Sequence, residues 1–218
     1  MMFRTPSIWS INGTSGSGKT MILYRICLET EHFFDQEVKK VLFCYRIWQP
    51  IYDKISDIFG NNIKFKNALP DQTDIDFLTE GNHHSLLFLD DLNRQVIDSE
   101  FMTSIYQIQS HHKNMTLLNV SHNIYQRGRY TRDQSLCIHY FIILNSPRDV
   151  FMLKCIGRQI QPSKPNCVVE AYHDVMKNSD SNFPYILINI APGFESSKYT
   201  LLSNVFKDEI MTVYLINS

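Results

Sequence analysis

The 218-residue sequence predicts an α/β fold, a mostly parallel sheet with helices on both faces. Three observations carry that expectation. Residues 7–20, SIWSINGTSGSGKT, pass from an apolar segment through a glycine-rich loop into a helix-compatible stretch. Residues 85–91, SLLFLDD, put a continuous apolar run before two carboxylates, the texture of a parallel strand covered on both faces. Further apolar runs of strand length, VLFCY at 41–45, MTLLNV at 115–120 and CIHYFIIL at 137–144, alternate with segments of helical spacing.

Ser7 to Asn12 reads as a buried strand and Met21 to Glu31 as a helix. Between them, Gly13-Thr14-Ser15-Gly16-Ser17-Gly18-Lys19-Thr20 is a complete G-x-x-x-x-G-K-[ST] loop. A strand before such a loop and a helix after it make it a phosphate-binding P-loop. The glycines let backbone N–H groups turn inward onto phosphate oxygens, and the new helix presents unpaired N–H groups to the same anion. Lys19 can reach the β- and γ-phosphates, and the Thr20 hydroxyl can sit on Mg²⁺. The expected cofactors are therefore ATP and Mg²⁺.

Val41 to Tyr45 reads as a second strand. Tyr52 to Phe59 carries Ile55, Ile58 and Phe59 at helical spacing and stops at Gly60. Ile63 to Phe65 is a short strand, Asp71 to Leu78 one or two helical turns, and Gly81 to Ser85 a polar loop. The strand from Ser85 then delivers Asp90 and Asp91 to its carboxyl end, where α/β sheets bind ligands. After a P-loop this is a Walker B pattern: Asp90 is placed to hold Mg²⁺ and Asp91 to polarise the attacking water. Asp98 or Ser99 can cap a helix with Phe101, Met102, Ile105 and Ile108 on one face, ending near Lys113-Asn114. His111 and His112 fall at its solvated end and receive no role.

Met115 to Val120 is a third covered strand, tipped by Ser121-His122-Asn123. The tip is either a γ-phosphate sensor, through His122 or Asn123, or a turn with a satisfied histidine. Gln126 to Asp133 then holds Arg127, Arg129 and Arg132, whose planar, always-charged forks suit phosphate. The competing reading is a solvated loop. Cys137 to Leu144 is a fourth long strand. Asn145-Ser146-Pro147 opens a helix from Arg148 to Ile160, with Pro147 in its first turn. Residues 1–160 read as the core and 161–218 as a C-terminal extension packed on the same domain. Gln161 to Pro165 is a turn, Val168 to Met176 a helix, Tyr185 to Ile190 an added strand and Pro192 to Ser197 a loop. Tyr199 to Ser218 carries no legible chemical signature.

Composition bounds the function. The formal charge of −1 gives no bulk attraction to nucleic acid, so any such contact needs a local basic patch. The five cysteines are scattered without a C-x-x-C and are expected to be reduced thiols of an intracellular protein. The N-terminus has no long apolar segment of a signal peptide, and no apolar run approaches ~20 residues, so no membrane partner is expected.

Beyond the Walker motifs, further segments carry a resemblance: Cys44-Tyr45-Arg46-Ile47-Trp48-Gln49-Pro50-Ile51-Tyr52, Ser121-His122-Asn123, the arginine loop, Asn145-Ser146-Pro147-Arg148-Asp149 and Gly157-Arg158-Gln159-Ile160. From Ser7 to Pro162 the chain resembles the small DNA-packaging ATPases of the FtsK-HerA superfamily. It looks most like those of Polinton (Maverick) elements and related eukaryotic DNA viruses, with poxvirus packaging ATPases more distant. The resemblance implies a P-loop NTPase of the RecA-like (ASCE) type, a three-layer sandwich whose P-loop strand is not adjacent to the Walker B strand. It implies a ring, commonly hexameric, that drives double-stranded DNA into a capsid, with capsid or portal proteins as partners. It places the protein in the host nucleus or cytoplasm and transiently at the virion. It also implies an arginine acting on the neighbouring subunit: Arg127, Arg129 or Arg132, with Arg148 and Arg158 in reserve. One departure stands out, since the superfamily commonly has glutamate where this chain has Asp91. Two other functions compete. In a nucleoside or nucleotide kinase, 127–132 would be an arginine lid. A nucleotide-gated assembly subunit would bind ATP and scarcely turn it over, which intact Lys19, Thr20 and Asp90 argue against.

Overall fold

The structure, a computed structural model, describes residues 2–192 and 200–216. Among them nine strands form one sheet: β1 (Ile8–Asn12), β2 (Val38–Tyr45), β3 (Ile63–Lys66), β4 (His84–Asp90), β5 (Met115–Ser121), β6 (Tyr140–Leu144), β7 (Tyr185–Asn189), β8 (Leu201–Ser203) and β9 (Thr212–Tyr214). Their order is β3-β2-β4-β5-β1-β6-β7-β8-β9. The first six are mutually parallel and the last three antiparallel. The P-loop strand β1 thus pairs with β5 and β6, and β5 separates it from the Walker B strand β4. This is the expected P-loop NTPase architecture.

The helices are α1 (Lys19–Leu28), α2 (Thr30–Phe33), α3 (Ile51–Phe59), α4 (Gln72–Thr79), α5 (Asn93–Ile97), α6 (Glu100–Ser104), α7 (Ser110–His112), α8 (Thr131–Ser135), α9 (Val150–Ile160) and α10 (Cys167–Asn178). Alternation along the strands assigns them to faces. Trp9, Ile11, Phe43 and Phe88 pack against Ile22, Leu23 and Ile26 of α1 and Tyr52 and Ile55 of α3. Ile8, Leu87 and Leu89 face the opposite way, onto Ile75 and Leu78 of α4 and Val96 of α5. On the same face, Phe141 and Ile143 meet Leu153 and Ile156 of α9 and Val168 of α10. Each fully buried side chain of this size contributes roughly 1.5–3 kcal/mol. Asp71 caps α4 with a reciprocal capping box to Asp74, which is why that short helix forms where it does.

Several sequence expectations shift. Ser99 does cap α6, but a π-helical turn, Ile105–Gln109, separates α6 from α7. Its wider turn rotates the apolar stripe, so Tyr106 is buried where Ile108 was expected, and Ile108 is exposed. β4 begins at His84, one residue before the expected strand start at Ser85. β6 starts only at Tyr140: Leu136 and Cys137 form a turn after α8, and the His139 ring Nδ1 accepts from the Ile8 N–H at 3.0 Å while the His139 backbone N–H donates to Ile8 O at 2.9 Å. α9 begins at Val150, two residues later than expected, with Asp149 at its N-cap. The unreadable C-terminal stretch supplies β8 and β9. Residues 193–197 of the expected Pro192–Ser197 loop lie outside the described residues, as do Lys198, Tyr199, Asn217 and Ser218. All five cysteines are free thiols. Among the described residues no helix is long and apolar enough to cross a membrane.

Two histidines tie stability to pH. Burial lowers the pKa of His84 and of His139 from 6.5 to about 4, with His111 adding to the effect at His139. Below pH 6.5 the unfolded chain takes up protons that the folded chain refuses until about pH 4, so stability falls as pH drops through that window. The urea midpoint is expected to decline across it, and His84→Asn to lessen the slope.

Candidate active site

Because β1, β4 and β5 run parallel, their carboxyl ends open on one edge of the sheet. The loops there enclose a cleft of about 410 Å³, lined by P-loop residues Ser15, Gly16, Gly18, Lys19 and Thr20, and by Asp90, Asp91 and His122. A larger groove of about 840 Å³ lies between α10 and the β8–β9 edge, away from these residues, and contains none of the P-loop or the strand-end acids.

The P-loop is slung between the two neighbours of β1. The Gly13 N–H donates to Ser121 O at 3.3 Å, and the Thr14 N–H and hydroxyl donate to Asn145 O at 3.1 and 2.9 Å. Gly16 (φ 77°) and Gly18 (φ 97°) take left-handed conformations that only glycine adopts cheaply. Gly18 is the N-cap of α1, so no side chain caps the helix, and no acid stands in its first turn. Its leading N–H groups remain available to an anion, and the helix dipole favours one. These features fit a polyphosphate.

Lys19 folds back over the loop, its Nζ donating to Gly13 O and Thr14 O, both at 2.8 Å. Burial lowers its pKa, against the pull of Asp90 and Asp91. Asp90 is 3% exposed, and burial raises its carboxyl pKa. The Tyr52 hydroxyl, donating to Asp90 Oδ2 at 2.7 Å, works in the opposite direction and steadies the carboxylate. Asp91 sits just past the strand with φ 59°. Aspartate tolerates that left-handed backbone better than most residues, a physical reason for it to stand where a glutamate was expected. His122 bridges the two charges. Its Nδ1 lies 3.4 Å from Lys19 Nζ and its Nε2 3.4 Å from Asp91 Oδ1. An ammonium can only donate, so Nδ1 accepts and Nε2 carries the hydrogen toward Asp91.

The β5 tip is held by Asn12, a buried residue at the end of β1. Its Nδ2 donates to Ser121 Oγ at 2.7 Å and to Asn123 O at 3.2 Å, while Ser10 Oγ donates to its Oδ1 at 2.9 Å. Of the two sensor candidates, His122 lines the cleft. Asn123 contributes its carbonyl to this latch, and its side chain is not part of the lining. Arg127, Arg129 and Arg132 are exposed and lie outside the cleft. Their loop is pinned to the end of α5: Arg129 N–H donates to Asp98 Oδ1 at 2.9 Å and Tyr130 N–H to Ile97 O at 2.9 Å.

Sequence reasoning missed four residues here: Asn12, Gln49, Tyr52 and Phe183. A polar side chain closing a buried strand just before Gly13 was a legible signal for Asn12. Tyr52 reads as helix core, and nothing local ties Gln49 or Phe183 to the P-loop.

No family model matches the chain, and no curated protein matches it. Solved structures do. The genome packaging NTPase B204 from Sulfolobus turreted icosahedral virus 2 aligns in its ATP-gammaS complex (10% identity, TM-score 0.56) and in its sulfate complex (11% identity, TM-score 0.57). B204 described as the DNA-packaging ATPase from Sulfolobus turreted icosahedral virus aligns at 12% identity with a TM-score of 0.55. Each alignment covers 97% of this chain and 98% of the other. At such identities the likeness shows the shared fold, and it extends over nearly the whole of both chains.

The Tyr52–Asp90 contact yields a test. Tyr52→Phe keeps the ring packed on Phe43 and Trp48 but removes the donor. The Asp90 pKa then rises further, so its carboxyl should take up a proton at higher pH than in the wild type, read by an NMR titration of the side chain.

Proposed function

We propose that this chain is an ATP-hydrolysing motor that translocates double-stranded DNA into a capsid. In this reading it works as a homo-oligomeric ring, hexameric, encoded by a Polinton-type element or a related eukaryotic DNA virus. It acts in the host nucleus or cytoplasm, and transiently at the virion with capsid or portal proteins. The observation that carries the hydrolytic part is the Lys19–His122–Asp91 bridge, built on a strand standing between the P-loop strand and the Walker B strand. It joins the phosphate-binding cation, a polar strand tip and an acid free to engage water. The packaging part is supported by the whole-length likeness to the B204 structures and by the sequence segments outside the Walker motifs.

In this mechanism Lys19 leaves the carbonyls of Gly13 and Thr14 and takes the β- and γ-phosphates, while the uncapped N–H groups of α1 hold the rest of the chain of phosphates. Asp91 orients the attacking water and accepts its proton. His122, hydrogen-bonded to Asp91, keeps that carboxylate facing the γ-phosphate. Thr20 and Asp90 fit a magnesium ion: both present oxygen donors to the cleft, and Tyr52 occupies only one carboxylate oxygen of Asp90. Among the described residues no cluster of three or more His, Cys, Asp or Glu side chains could cage a metal, which suits a cation that keeps several of its waters. Held by Thr20 and Asp90, magnesium would supply positive charge against the charge that develops on the phosphates.

The exposed arginine loop follows the β5 tip in the chain, with Arg127 five residues after the lining residue His122. Ile47 (70% exposed) and Trp48 (43% exposed) precede the lining residue Gln49, an apolar rim of the kind a neighbouring subunit covers.

Lys19→Ala should lower ATP turnover by at least about a hundredfold, since it removes a preorganised charge from the transition state. Asp91→Asn suits the left-handed backbone equally well and should retain Mg·ATP binding without hydrolysis, whereas Asp90→Asn should also lose metal dependence. Near-normal turnover by Lys19→Ala sinks the hydrolytic reading. Phosphoryl transfer to nucleosides, in place of DNA-stimulated hydrolysis, would favour the kinase.

The arginines divide by a mixing experiment. If one of Arg127, Arg129 or Arg132 completes a neighbour's site, its alanine variant should lose ATPase activity by about 10³-fold even without DNA. Mixing it with Lys19→Ala subunits should restore part of the rate. An arginine that only touches DNA phosphates should keep basal turnover and show a weaker salt dependence of DNA binding when removed.

A further inference from the structure

The cleft has two unlike ends. Gln49 after β2, Asp90 and Asp91 at the end of β4, and His122 after β5 all come from one side of β1 in the sheet order. From the other side, beyond β6, comes Phe183, in the loop that enters β7. Its ring is half-buried and rests on Gly18, where an added Cβ would lie 2.4 Å from the ring's Cδ1. The loop is fixed without help from a ligand. Phe183 N–H donates to Ser181 Oγ and Ser181 N–H to Ser179 Oγ, both at 3.2 Å. Tyr185, two residues on, accepts from Val205 N–H at 2.7 Å and donates to Glu209 Oε2 at 3.1 Å.

This polarity orients a nucleotide. Its terminal phosphate belongs beside Lys19, His122 and the two acids, and the remaining phosphates run across the N-terminus of α1. The base then points away from the acids, to the end lined by Phe183 and Met21. We infer that Phe183 is the base-contacting residue of this site, an aromatic wall supplied by the C-terminal part of the chain. The inference rests on the phosphate-binding reading of the P-loop. An aromatic face accepts every base, because each has a π-face to offer. Phe183 has no side-chain hydrogen-bonding group, and the Met21 thioether is only a weak acceptor, so neither side chain reads a base edge strongly. The site therefore selects for the triphosphate and discriminates little among bases.

Calorimetric titrations of ATP, GTP, CTP and inorganic tripolyphosphate test this on the whole chain. The wild type should bind the three nucleotides within about tenfold of one another. Phe183→Leu keeps an apolar group on Gly18 but loses the ring. It should bind ATP about ten- to a hundredfold more weakly and tripolyphosphate as before, and Phe183→Tyr should restore ATP binding. Equal losses of ATP and tripolyphosphate in Phe183→Leu would mean that the ring only shapes Gly18, and would overturn the inference, as would unchanged ATP binding. A wild type that prefers one base by more than a hundredfold overturns the indifference to bases. A wild type that binds neither ATP nor tripolyphosphate overturns the phosphate-binding reading itself, and this inference with it.

Discussion

The P-loop does not hang freely from β1. Two hydrogen bonds, Gly13 N–H to Ser121 O and Thr14 N–H to Asn145 O, tie its first residues to the strands on either side. Buried backbone donors must find partners, and here the partners are the tips of β5 and β6. The loop, the His122 tip and the exit from β6 therefore keep a common geometry. Asn12 strengthens this by holding the β5 tip from beneath. On the β6 side, the Ser146 N–H donates to the Tyr172 hydroxyl of α10 at 2.8 Å, which carries the same constraint into the C-terminal helices.

The charges of the cleft are held against the cost of burial. Lys19 is partly buried, its pKa lowered by that burial, and its ammonium donates to two carbonyls. Asp90 is almost wholly buried with its pKa raised, and a tyrosine hydroxyl is its hydrogen-bond donor. Burying charge is costly unless it is paired. Asp91 contributes a second kind of tension, a non-glycine residue at φ 59° next to the buried Asp90.

The C-terminal strands are part of this machinery. Arg25 on α1 pairs with Asp208 and with Glu209 Oε1, the latter at 2.6 Å, and its guanidinium lies 4.0 Å from the centroid of Phe206. Lys207 N–H donates to Glu29 Oε2 at 2.8 Å. The turn after β8 thus grips α1 near its C-terminus, while Phe183 rests on its N-cap. The phosphate-binding helix is held at both ends by residues far from it in sequence.

The sequence by itself determined what local pattern can encode. Apolar strands buried on both faces, the glycine loop between a strand and a helix, and two acids at a strand end are all written in contiguous residues, because each depends on the chemistry of its own segment. That was enough for the α/β architecture, and the segments it singled out bring Lys19, Thr20, Asp90, Asp91 and His122 to the lining of one cleft. It failed where a remote partner decides. The π-helical turn moved Ile108 outward through a change of helical phase that no periodicity announces. His139 turns its ring nitrogen onto a backbone donor of β1, beside its own backbone bond to Ile8 O. Tyr52 reaches Asp90 only because β2 and β4 are neighbours, and Phe183 reaches Gly18 only because the chain returns antiparallel beside β6. Tertiary structure alone made those contacts, since they depend on which strands lie side by side, and strand order is set by packing across the whole sheet.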